Sequence, residues 1–169
     1  MILATDVHYT GEEAVAAAVL FEEWKDSERL HEWAESRTGA VEQYSAGEFF
    51  RRELPCILPL IRRAYQSLHL KAIIVDGYVD LGGGKPGLGR YLKRALGGRV
   101  EVIGVAKNEF VGAPAAEVLR GKSMKPLFVT TTGNMESAAR RIRSMAGEHR
   151  IPEMLRRVDE LSRGARPKR

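Results

Sequence analysis

Two apolar segments, residues 1–7 and 14–21, stand either side of Thr10-Gly11, and beyond them short apolar runs alternate with amphipathic ones. Apolar segments joined by a glycine-containing turn pair as an antiparallel hairpin, whereas strands separated by helices need crossover connections. A chain that starts with the first pattern and continues with the second satisfies both in one mixed sheet with helices on both faces, an α/β fold. The later strands are read at 71–75, ending at Asp76, at 100–106 and at 126–130. Between them, Phe50, Leu54, Ile57, Leu58, Ile61, Ala64 and Leu68 recur at helical spacing, so 47–68 is a long amphipathic helix that Pro55 and Pro59 must bend or divide. A helix from about Leu88 to Leu96 is stopped by Gly97-Gly98, another covers 136–145, and Pro152 opens the last with Glu153 in its first turn. Residues 28–37 stay open between strand and helix: Leu30, Trp33 and Ala34 make a helical stripe, while Leu30, Glu32 and Ala34 share a strand face.

A chain of 169 residues, 44% apolar and 29% charged, is the size and make-up of one globular domain, 1–169, with a basic tail from about 164 expected to be flexible. No apolar run is long enough to span a membrane, and the N-terminus carries no basic leader or small-residue cleavage site, so a cytoplasmic location is expected. Cys56 is the only cysteine, which excludes an internal disulfide and a cysteine-based zinc cluster and suits a small buried apolar role. The net charge of +5 is concentrated after Arg140, where basic residues outnumber acids; this is either a solvated helix face and tail or a surface for phosphates.

An aspartate sits in or at the end of each of two apolar strands, Asp6 in Ile2-Leu3-Ala4-Thr5-Asp6-Val7 and Asp76 in Ile73-Ile74-Val75-Asp76-Gly77. A buried carboxylate costs several kcal/mol unless it is paired or bound to a cation. Either aspartate alone can be satisfied by a turn; two at strand ends suggest a shared partner, and Mg²⁺ takes such oxygen ligands together with water and substrate phosphate. Read on their own, Glu53, Lys107 and Asp159 are surface charges. The segment Gly82-Gly83-Gly84-Lys85-Pro86-Gly87 is no P-loop, because the lysine is followed by proline and the glycine spacing is wrong, and His8, His31, His69 and His149 share no metal-ligand spacing.

Several blocks, in order and covering nearly the whole chain, resemble the endonuclease V family. Asp6-Val7-His8-Tyr9 resembles the family's Asp-Val-Ser-Tyr; Tyr44-Ser45-Ala46-Gly47 through Phe50-Arg51-Arg52-Glu53 resembles the block from Tyr-Ile-Pro-Gly to Phe-Arg-Glu; Val75-Asp76-Gly77 and Ile103-Gly104-Val105-Ala106-Lys107 match family motifs directly. Pro126-Leu127-Phe128-Val129, Glu136-Ser137-Ala138 and Arg150-Ile151-Pro152-Glu153, with Asp159 beyond, are similar to the C-terminal blocks. The resemblance implies a ribonuclease H-like fold, and it favours the strand reading for 28–37. It implies Asp6, Glu53 and Asp76 as catalytic metal ligands, with Asp159 as a further ligand where the family carries an acid or a histidine. It places Lys107 beside the scissile phosphate, Tyr44 as the wedge near the lesion, and Gly47, Gly77 and Gly104 among the substrate-binding positions, Gly77 lining the pocket for an everted base. The implied activity is Mg²⁺-dependent hydrolysis, with Mn²⁺ as a substitute, of the second phosphodiester 3′ to inosine or deoxyinosine in RNA or DNA.

The departures fall on recognition. Ser45-Ala46 replaces Ile-Pro after the tyrosine, Tyr78-Val79 replaces a histidine-bearing continuation, Gly84-Lys85-Pro86-Gly87 stands where the family has a His-Pro-Arg-like segment, and the family's amino-terminal extension is expected to be absent. They set two alternatives beside the implied activity: a nuclease with another substrate preference, and a nucleic-acid-binding relative with weak or no catalysis.

Overall fold

The hairpin forms: β1 (Ile2–Thr10) and β2 (Glu13–Phe21) run antiparallel, in register from Ile2 opposite Phe21 to Thr10 opposite Glu13. Gly11, at φ 58°, takes the left-handed conformation this tight turn needs. The structure is a computed structural model that describes residues 1–11, 13–38, 49–65 and 69–164. Further along lie β3 (His31–Thr38), β4 (Ala72–Asp76), β5 (Glu101–Ala106), β6 (Ala116–Val118) and β7 (Leu127–Thr131), with helices α1 (Phe49–Tyr65), α2 (Leu88–Ala95), α3 (Met135–Ser144) and α4 (Glu153–Ser162). The strands make one mixed sheet in the order β3-β2-β1-β4-β5-β7-β6. β1, β4 and β5 are parallel neighbours, and the remaining pairings are antiparallel.

Period-two alternation sorts the strand side chains into two cores. Ile2, Ala4, Ile74, Ile103 and Val105 pack under α3 and α4 with Ala138, Ile142, Met154 and Val158. Leu3, Ile73, Val75 and Val102 pack under α1 and α2 with Ile57, Ile61, Leu88 and Leu92. Helices therefore cover both faces, and each fully buried Ile or Leu contributes about 1.5–3 kcal/mol. Asp6 follows Ile2 and Ala4, and Asp76 follows Ile74, so both acids share the α3–α4 side of the sheet.

Residues 31–38 are a strand. The apparent helical stripe is split between the faces: Ala34 packs against the α3–α4 core and Trp33 against the other. Glu32, 4% exposed, accepts two hydrogen bonds from the Arg157 guanidinium of α4 at 2.7 and 2.8 Å and also meets Arg29. Tertiary pairing thus makes a strand of a segment whose periodicity is indecisive.

The prolines do not divide α1, which runs from Phe49 to Tyr65 with both inside it. Both rings lie on the exposed side of the helix. Pro59 leaves the carbonyl of Pro55 without its intrahelical donor, and Arg37 of β3 supplies one, its Nη1 at 2.7 Å. The short edge strand β6 was not anticipated. Cys56 is half-buried rather than buried, and its thiol donates to the Arg52 carbonyl.

Candidate active site

β1 and β4 pair as far as Thr5 beside Val75. Gly77, at φ 126°, then turns the chain away while β1 continues along β2. The next residues in register, Asp6 and Asp76, stand side by side where the sheet opens. Both line a cavity whose other walls include Lys107 at the end of β5 and Asp159 of α4.

Electrostatics at this opening are unfavourable to negative charge. Burial raises the pKa of Asp6 above its ordinary 3.8, and Asp159 adds to the shift, against the Ser162 hydrogen bond and the Lys107 and Arg163 charges. Asp76 is exposed through the cavity mouth, yet the protein packed around it, and Asp6 next, push its pKa up to about 6. Glu53 lies behind them on α1, 4% exposed and not part of the cavity lining. Burial, then Asp6 and Asp76, carry its pKa up to about 8. The Tyr9 hydroxyl beside Glu53 favours the carboxylate, though it is buried and falls outside hydrogen-bond geometry. Three mutually repelling carboxyl groups are what a hard divalent cation relieves. Among the described residues, however, no three His, Cys, Asp or Glu side chains close into a ready-made ligand group. The donor set fits a cation held by the Asp6–Asp76 pair and completed by water or substrate oxygens, as Mg²⁺ allows.

Asp159 is differently placed. Although burial opposes it, the Arg163 hydrogen bonds and the Lys107 charge hold its pKa below the usual value. Arg163 donates to both carboxylate oxygens at 3.0 and 3.3 Å, and Lys107 Nζ lies 3.6 Å from Oδ1. Lys107 itself is half-exposed, and its carbonyl is fixed at 2.5 Å by Arg150, which also holds the Pro126 carbonyl.

The glycines have different jobs. Gly77 needs its positive φ for the turn that opens the site. Gly104, buried on β5, has no room for a Cβ, which would fall 2.4 Å from the Gly77 carbonyl and 2.5 Å from Thr130 Oγ1. It seats the Gly77 turn and stands beneath the surface. Tyr78, where the family resemblance breaks, donates its hydroxyl to the Asn108 carbonyl and accepts from Phe110 N–H, both at 2.9 Å, and so pins the loop after Lys107. Tyr44 and Gly47, as well as the tail beyond 164, lie outside the described residues.

The sequence gives Ser162 no role, and Arg150 only a place in a C-terminal block of the resemblance. Ser162 is fully buried on α4 and donates to Asp6 Oδ2 at 2.5 Å. Its only sequence signal is a position one turn beyond Asp159, which no pattern distinguishes from a surface serine. Among the described residues of the basic C-terminal stretch, most arginines are paired with acids: Arg140 with Glu136, Arg141 with Glu101, Arg156 with Glu160, Arg157 with Glu32 and Arg163 with Asp159. No described helix is long and apolar enough to cross a membrane.

No protein-family model matches the sequence. No curated protein matches it either. Solved structures do. An endonuclease V from Streptomyces avermitilis is 29% identical, with a TM-score of 0.74 over 96% of this chain and 79% of that one. Human ENDOV is 23% identical with a TM-score of 0.75, over 96% of this chain and 82% of that one. Endonuclease V of Ciona intestinalis, solved with a 24mer DNA containing an inosine followed by a ribo-adenosine, is 19% identical with a TM-score of 0.79, over 96% and 84%. The chain has an endonuclease V-like fold of the ribonuclease H-like class.

Proposed function

We propose that the protein is a nuclease: a Mg²⁺-dependent endonuclease, able to use Mn²⁺, that hydrolyses a phosphodiester near a deaminated base, inosine or deoxyinosine, in RNA or DNA. The observation that carries this reading is the Asp6–Asp76 pair at the opened ends of adjacent parallel strands, with Lys107 on the same cavity. The endonuclease V-like fold supports it. Asp6 and Asp76 would hold the cation, with Glu53 behind them and Asp159 opposite. When bound, such a cation makes a water nucleophilic and neutralises phosphate oxygens. Lys107 presents its ammonium to the phosphate as negative charge develops there, leaving Asp159 to Arg163. Gly77, which follows the cavity-lining Asp76 and has no side chain, would border an everted base, and Gly104 seats the Gly77 turn.

A second reading, a nucleic-acid-binding relative with weak catalysis, is favoured by the lack of a closed three-residue ligand group among the described residues. Incubation with labelled inosine-containing and control oligonucleotides, DNA and RNA, separates the two. The proposal expects cuts that depend on inosine; retention of the oligonucleotides without any cut supports the second reading, and cutting indifferent to inosine removes the specificity.

A further inference from the structure

We propose that Ser162 is a positioning residue for divalent-cation binding: its hydroxyl, buried against Asp6, fixes that carboxylate so that Oδ1 is turned to the cation. This rests on the reading of Asp6 as a cation ligand. Ser162 is the last residue of α4, fully buried, and its Oγ lies 2.5 Å from Asp6 Oδ2. That distance is typical of a hydroxyl donating to a charged oxygen. Oγ is also 2.8 Å from the Asp159 carbonyl, but this carbonyl already accepts the Arg163 N–H at 3.1 Å, and the hydroxyl has one proton to give. The carboxylate is the stronger acceptor and the nearer one.

The consequence is geometric. A carboxylate on a free χ2 offers either oxygen, or both, to a cation. With Oδ2 engaged by Ser162, Oδ1 is the oxygen left to serve the cavity that Asp6 lines with Asp76. α4 thus contributes to the site twice, through Asp159 on the cavity wall and, one turn later, through Ser162 behind Asp6. Outer partners that orient ligands are typically worth about 10–100-fold in metal affinity.

The test measures Mn²⁺ binding by electron paramagnetic resonance, without nucleic acid, on the wild type and on Ser162→Ala, Ser162→Thr and Asp6→Asn. Thermal denaturation in EDTA checks the fold of each. The expected result is that Ser162→Ala weakens Mn²⁺ binding about tenfold or more while keeping a cooperative transition in EDTA, and that Ser162→Thr, which retains the hydroxyl, recovers most of the affinity. Should the threonine methyl not fit the buried site, Ser162→Cys, nearly isosteric but a weak donor, should fall between wild type and alanine. Ser162→Ala binding Mn²⁺ as tightly as the wild type overturns the positioning role and leaves the cation site standing. Wild-type binding unaffected by Asp6→Asn overturns both, because the cation would then lie elsewhere.

Discussion

Among the described residues that line the cavity, Lys107 is the one cation, and it is half-exposed, with its Nζ 3.6 Å from Asp159. If it stabilises developing charge, Lys107→Met should lower the single-turnover cleavage rate by about 10²–10³ without weakening Mn²⁺ binding, since it ligates nothing and its positive charge opposes the cation. An unchanged rate would return it to an ordinary surface lysine. Glu53 makes a different prediction. Its folded pKa of about 8 lies above the ordinary 4.5, so the folded protein holds a proton that the unfolded chain releases. The stabilisation is complete below about 4.5 and is lost as pH rises toward about 8; Asp6 and Asp76, also shifted upward, add to the loss at lower pH. In EDTA the denaturation midpoint should therefore fall across that window, and Glu53→Gln, which carries no charge to desolvate, should flatten the fall. A midpoint that climbs over the same range would contradict the placement of Glu53. Of these residues, Asp6 and Asp76 are legible without the structure because an acid breaks an apolar run in each; Glu53 and Lys107 needed the family resemblance. Ser162 carried no signal at all, because a buried serine and an exposed one look alike on a helix of mixed charge.

At the scale of elements, α4 supplies Leu155, Val158 and Asp159 to the cavity wall, and it is tied to the edge strand β3 through Arg157 and the buried Glu32. Removing one partner of a buried ion pair costs about 3–5 kcal/mol because the other is left poorly compensated. Arg157→Met should thus cost about 3 kcal/mol, a fall of roughly 6–12 °C in midpoint for a domain of this size, as read by thermal denaturation. An unshifted midpoint would mean that Arg29 suffices for Glu32. Strands and helices with clear periodicity were readable in advance, the first hairpin most of all. Where local sequence left the outcome open, long-range partners bear on it: 31–38 pairs with β2 as a strand and its Glu32 meets Arg157 of α4, while Arg37 takes the carbonyl that Pro59 orphans in an undivided α1. Periodicity says nothing about such partners.

For the whole molecule, the order of strands is what makes chemistry available. β1 is paired antiparallel with β2 along its full length and parallel with β4 only as far as Thr5, so the sheet splits where Asp6 and Asp76 meet. The hairpin-then-alternation pattern foretold a mixed sheet; the split itself depends on the register of β1 against β4 and on the Gly77 turn, neither of which hydropathy encodes. The proposed cation-dependent phosphodiester hydrolysis depends on this pair of aspartates. It is tested most directly by following cleavage of an inosine-containing oligonucleotide in Mg²⁺ and in EDTA, with the wild type and with Asp6→Asn and Asp76→Asn, while nucleic-acid affinity is measured alongside. The expected result is cutting by the wild type in Mg²⁺ only, loss of cutting by at least about a thousandfold in either variant, and binding held within a few-fold because phosphate contacts elsewhere supply it. Cutting that persists in EDTA, or in either variant at the wild-type rate, would contradict it.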